Sequence, residues 1–156
     1  MRAHRPKLDL SGLKSHTGFW LRFVSNHVSQ SFARKLKGSG VTVAEWVILR
    51  EMYDARSTAP SALALATGLT RGAVSKLIDR LVQKNLASRR EASGDRRFQE
   101  IRLTSAGRSL VPRLARIADQ NDEEFFSSLS AEERERLVAT LKKLVAAKGL
   151  SNLPTP

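Results

Sequence analysis

Residues 69–107 read LTRGAVSKLIDRLVQKNLASRREASGDRRFQEIRLTSAG, and the fold is decided there. Thr70 is a helix-capping residue, and Val74, Leu77, Ile78 and Leu81 recur at spacings of three, one and three, the apolar stripe of one amphipathic helix over 71–84. Asn85 tolerates the left-handed backbone that ends helices. Residues 86–91 and 98–103 then have the character of two short strands, and the intervening 92–97 contain Gly94, so a β-hairpin is expected. In the second strand Ile101 and Leu103 face a core, while Phe98, Glu100 and Arg102 face away.

Just upstream, Pro60 suits a first helical turn, and a short helix over 61–67 stops at Gly68. Two short helices joined by Gly68-Leu69-Thr70 form a helix-turn-helix. Residues 54–59 are a polar loop. Before it, Thr42 and Glu45 make a capping box, opening a helix to about Tyr53 with Val47, Ile48 and Met52 inward. Residues 12–37 form a long helix in which Trp20, Val24, Val28, Phe32 and Leu36 repeat every fourth position, with Phe23 and His27 beside them. Downstream, Thr104 caps a helix over about 105–127. Ser130 and Glu133 form a second capping box, which opens a last helix carrying Leu137, Leu141 and Leu144. Residues 151–156 form a frayed tail. The fold class is therefore mainly α with a small antiparallel β-hairpin.

The net charge is +12, from 27 Lys and Arg against 15 Asp and Glu. It is unevenly placed. Residues 1–40 carry 8 basic and 1 acidic side chains, residues 70–104 carry 9 and 4, and residues 121–156 carry 5 and 6. A basic arm and a basic central block suit a polyanion-binding face. There are no cysteines, which excludes disulfides and thiolate metal sites and fits a cytoplasmic protein. There is neither a signal peptide nor an apolar run long enough to span a bilayer. His16 and His27 lie about three helical turns apart, too far to share a metal. Asp122, Glu123 and Glu124 are adjacent on a helix and point in different directions. No Ser/His/Asp order, HExxH or phosphate loop is present, so no catalytic residue, cofactor or metal is expected, and the chain is not an enzyme.

The second helix of a helix-turn-helix can enter the major groove if its start is small or polar. Arg71, Gly72, Ala73, Ser75 and Lys76 meet that need. Gly72 is costly inside a helix, and close approach of backbone to a duplex explains it. The hairpin adds Arg89, Arg90, Arg96 and Arg97, and a loop of arginines can enter the narrow minor groove. Asp95 can orient Arg97. A basic hairpin directly after a helix-turn-helix favours double-stranded DNA over a merely solvated charged turn.

The quoted run resembles the recognition helix and wing of the MarR family of bacterial and archaeal regulators. GDRRFQEIRLTSAG is similar to that family's wing signature, carried here by Asp95, Arg97, Leu103 and Thr104. Two departures stand out: Asn85 replaces the family's usual Gly, and the missing cysteines exclude its thiol-oxidation branch. The resemblance implies a homodimer on a palindromic operator, with helix 71–84 in the major groove and Arg97 in the minor groove. Independently, the apolar stripes of the first and last helices need a partner, either a twofold mate or a longer intramolecular bundle.

The expected organisation is a basic arm (1–11), one MarR-like domain (12–150) and a tail (151–156). Within the domain, 12–40 and 105–150 are dimerisation helices and 42–104 the winged helix-turn-helix lobe. Arg71, Ser75 and Lys76 are expected to read bases, with backbone approach at Gly72 and Ala73. Arg97, oriented by Asp95, enters the minor groove, and Ser61, Thr70, Arg80, Arg90 and Arg96 hold phosphates. The resemblance also implies a small-molecule pocket near His16, Phe19, Trp20, Phe23, Trp46 and Tyr53, whose walls suit a small aromatic effector; singly, each is better explained by core packing. The expected function is a sequence-specific transcriptional regulator, a repressor acting by promoter occlusion. The alternative is a sequence-independent architectural or RNA-binding basic protein.

Overall fold

A computed structural model of the chain describes residues 10–92 and 95–150, with the side chains of 92–98 outside the description. The basic arm and the tail therefore lie almost wholly beyond it. A 3-10 turn at Leu13–Ser15 leads into α1 (Thr17–Leu36), α2 (Val43–Tyr53), α3 (Pro60–Thr67), α4 (Arg71–Gln83), β1 (Ala87–Ala92), β2 (Asp95–Leu103), α5 (Ser105–Phe125) and α6 (Ala131–Lys148). The architecture is the mainly helical one with an antiparallel hairpin that the sequence predicts.

Local chemistry sets the boundaries of α4. The Thr70 hydroxyl accepts from the Ala73 amide at 3.2 Å, which satisfies one orphan donor. At the other end Asn85 takes φ 56°, its amide donates to Val82 O, and the Leu86 amide donates to Leu81 O at 2.9 Å. That pair of bonds is a Schellman ending, built with Asn where Gly is commoner. Between the caps, Val74, Leu77, Ile78 and Leu81 are buried, as expected. They join Ile48, Leu49, Leu63, Ile101 and Leu114 in one core under the helix-turn-helix. Each fully buried aliphatic contributes about 1.5–3 kcal/mol of transfer free energy.

The hairpin pairs Ala87 with Leu103 through Glu91 with Gln99, then Ala92 with Asp95 across an irregularity. β1 is shifted by one residue from the expected span, and β2 is longer than predicted. β2 begins at Asp95 rather than 98, so the backbone of Asp95, Arg96 and Arg97 belongs to the strand and not to a tip loop. The reason is register: Asp95 finds a ladder partner in Ala92, across the irregularity that follows Glu91. The root of the wing is anchored from outside. Thr58, expected in a plain loop, exchanges hydrogen bonds with Ile101 at 3.0 and 2.8 Å.

Gly107 shows why α5 must start with a small residue. A Cβ there would lie 2.1 Å from the carbonyl oxygen of Leu86, so the helix rests directly on the turn leaving α4. Thr104 caps α5 through the Gly107 amide at 3.0 Å and donates its hydroxyl to Asn85 O at 2.7 Å. The exit of the recognition helix, the root of the wing and the start of α5 thus share one knot of hydrogen bonds.

Three further expectations are corrected. The first helix is broken: His16 has extended backbone, and α1 starts only at Thr17. Val47 is exposed, and Leu49 is buried instead, because the inward stripe of α2 runs Glu45, Ile48, Leu49, Met52. In α1 only Phe32 and Leu36 are buried; Trp20 and Val24, from the same row, are 49% and 41% exposed. A straight helix turns 3.6 residues per turn, so a row of every fourth residue drifts off one face.

Candidate nucleic-acid interface

The solvent side of α4 carries Arg71, Gly72, Ser75, Lys76 and Arg80, all exposed, with Ala73 half-buried at the edge. This is the side opposite Val74, Leu77, Ile78 and Leu81, so core packing below leaves a polar, cationic ridge above. The Thr70 oxygen is committed to the cap, but its hydroxyl hydrogen remains available to a phosphate. Ser61 is exposed in the first turn of α3, where amide donors point outward. Gly72 has nothing within 4 Å of where a Cβ would sit. No internal contact demands a glycine there.

β1 supplies Arg90, exposed and opposite Glu100, whose carboxylate is held by Arg102 at 2.9 Å. Asp95, Arg96 and Arg97 lie on β2 by backbone, and their side chains fall outside the described residues. One linking contact was missed by the sequence reading. Arg89 reaches back from β1 to Asp79 on α4 at 2.8 Å. Strand alternation contains the signal: Arg89 shares its face with buried Ala87, which points it toward the helices.

A second missed pair steadies the far end of α4. Glu45, 1% exposed, accepts from the Thr42 amide at 2.9 Å and from Lys84 Nζ at 2.7 Å; Lys84 also donates to Gly40 O at 2.7 Å. Burial pushes the Glu45 carboxyl up, but the Lys84 ammonium and the Thr42 amide outweigh it and hold the group below its ordinary value. The capping box was legible; that its carboxylate also ties α2 to α4 was not.

The six aromatic and histidine positions expected around a ligand do not converge within one protomer. His16, Phe19 and Phe23 line a cavity of about 290 Å³ with Arg22 and Asn26 on α1. Trp20 packs edge-on against Phe19 and donates its indole N–H to Lys14 O at 2.9 Å. Trp46 instead packs against Phe32 in the core, and Tyr53 lies under the Arg108 guanidinium. Phe32 is nine residues beyond Phe23, about 13 Å along the helix, which separates the two groups. Among the described residues no cluster of three metal-ligating side chains exists, and no helix is long and apolar enough to cross a membrane.

The comparisons agree with this geometry. A model of the MarR family matches residues 39–97, from the α1–α2 turn into β2. A protein assigned to transcriptional regulation of the hcr operon in Thauera aromatica is 30% identical over 153 residues, covering 92% of each chain. Among solved structures, Bordetella bronchiseptica BpsR, whose DNA binding is regulated by 6-hydroxynicotinic acid, superposes with TM-score 0.77 at 28% identity, covering 81% of this chain and 96% of BpsR. S. aureus MepR in complex with DNA superposes with TM-score 0.79 at 28% identity, covering 85% and 98%. On sequence and fold together, the chain belongs to the MarR family of DNA-binding winged-helix transcriptional regulators.

Proposed function

We propose that the protein is a homodimeric repressor that binds a palindromic operator, with α4 in the major groove and the β1–β2 wing along the adjacent minor groove. The observation that carries the reading is the exposed ridge of Arg71, Gly72, Ser75, Lys76 and Arg80 above a fully packed stripe. A rigid helix presenting donors on one side and no bulky group at Gly72 suits base edges. In this reading Arg71, Ser75 and Lys76 contact bases. Arg97, oriented by Asp95, takes the minor groove, and Ser61, Thr70, Arg80, Arg90 and Arg96 contact phosphates. MepR, similar over most of this chain, is known as a DNA complex, which supports the mode.

The dimer follows from what one protomer leaves uncovered. α6 buries none of its residues, and Leu137, Leu141 and Leu144 are each about two-fifths exposed. Leu137 and Leu141 border an apolar groove of about 710 Å³ shared with Trp20, Val24 and Phe125. An amphipathic helix gains most of its stability by burying its stripe, and a twofold mate buries both stripes at once. The domain division follows the same logic: α2 to β2 bind DNA, while α1, α5 and α6 hold the two copies together. Release by a small aromatic ligand is supported by BpsR, whose DNA binding responds to 6-hydroxynicotinic acid.

Selection from a random duplex library tests the reading. The expected result is an inverted repeat with half-sites about one helical turn, roughly 34 Å, apart. Binding with no sequence preference supports an architectural protein instead and overturns the operator assignment.

A further inference from the structure

Asp79 is an anomaly on the surface just described. Gly72, Ser75, Lys76 and Asp79 are spaced three, one and three, which puts Asp79 three or four residues after Lys76 and Ser75, so a carboxylate stands within the ridge proposed to face the duplex. An unpaired anion there repels phosphates. It is not unpaired: Arg89 of β1 meets it at 2.8 Å, with side chains 31% and 53% exposed respectively. We propose that Arg89 is a positioning residue, which neutralises Asp79 and braces the wing strand against the recognition helix, so that the two DNA-binding elements keep a fixed spacing. The inference rests on the DNA-binding reading above.

The geometry separates this role from a phosphate contact. Arg89 lies on the β1 face shared with buried Ala87, turned toward the helices, whereas Arg90, the next residue, has the opposite face. Thr58 holds the root of the hairpin at Ile101, and Ile101 is also the residue across from Arg89. The wing is thus held at one level from both sides, by Thr58 from the loop before α3 and by Arg89 from its own paired strand.

A double-substitution cycle on the full-length protein gives the two roles opposite signs. The probe is the duplex selected by the wild-type protein, measured beside a random-sequence duplex. If Arg89 is a brace, Asp79→Asn weakens binding to the selected duplex although it removes a negative charge, and Arg89→Gln weakens it similarly, each by roughly three- to fivefold, the ceiling for a half-exposed ion pair. The double variant then loses no more than either single one. Thermal melting should be unchanged in all three, which separates loss of positioning from loss of fold. Tighter binding by Asp79→Asn, or losses that simply add, makes Arg89 an ordinary DNA ligand and overturns the proposal. A wild-type protein that retains no duplex at all overturns the DNA reading itself, a separate outcome visible before any variant is made.

Discussion

Two helical glycines, one in α4 and one in α5, have opposite surroundings. Gly107 has a backbone oxygen 2.1 Å from where a Cβ would be placed, so Gly107→Ala must move α5 off the turn after α4. Such overpacking should destabilise the protein by about 1–3 kcal/mol, read from denaturant or thermal unfolding. Gly72 meets nothing. Gly72→Ala should therefore raise stability by up to about 1 kcal/mol through helix propensity, yet weaken operator binding by about 1 kcal/mol, because the methyl group faces the bases. Stability and affinity moving in opposite directions is the signature; a parallel change contradicts the assignment. Glu45 gives a pH signature. Its folded carboxyl titrates below its ordinary value of 4.5, so the unfolded chain takes the proton first as pH falls. The stabilisation is complete above that value and is lost as pH drops through the lower folded value. Glu45→Gln should cost about 1–3 kcal/mol near neutral pH, and its difference from wild type should narrow below pH 4.5 in urea titrations. A difference independent of pH would show that the pair with Lys84 contributes nothing through ionisation.

At the scale of the elements, the wing is where sequence and structure part company most. Arg97→Ala should weaken operator binding by about 1–3 kcal/mol in gel-shift titrations, and unchanged affinity removes the minor-groove role. The antiparallel hairpin and the inward Ile101 were legible, because composition and alternation are local. The bridge from Thr58 and the reach of Arg89 to Asp79 were not, because each joins the wing to a segment elsewhere in the chain; nor was the strand's start at Asp95, which pairs with Ala92 across an irregularity that simple alternation does not contain. The helices show the same division. Caps at Thr42, Thr70, Thr104 and Ser130 are local chemistry, and each forms as the sequence predicts. Which side of α2 is buried is a tertiary matter, and the sequence favoured Val47 over Leu49, two residues short. The aromatic positions failed to converge for a related reason: proximity was inferred from two neighbouring helices, but Trp46 and Tyr53 pack into the lobe while Phe19 and Phe23 stay with the exposed half of α1.

At the scale of the whole molecule, α1 to α5 share one core, while α6 buries none of its residues. Replacing Leu137 and Leu141 together by Glu places charge on the exposed stripe of α6, where neither side chain is needed by the core. Sedimentation should then show a monomer with the lobe still folded, and operator affinity should collapse because two half-sites are no longer held at once. A variant that stays dimeric relocates the interface. Wild-type affinity should also fall steeply with salt, as expected when Lys and Arg displace phosphate counterions. The most direct test of the central claim is dimethyl sulfate probing of guanine N7 on the selected duplex, since N7 lies in the major groove. The α4 assignment predicts two protected clusters about one turn, roughly ten base pairs, apart, with protection lost at a defined guanine in each half-site when Arg71 is replaced by Ala. Guanines that stay fully reactive under saturating protein would show that α4 never enters the groove.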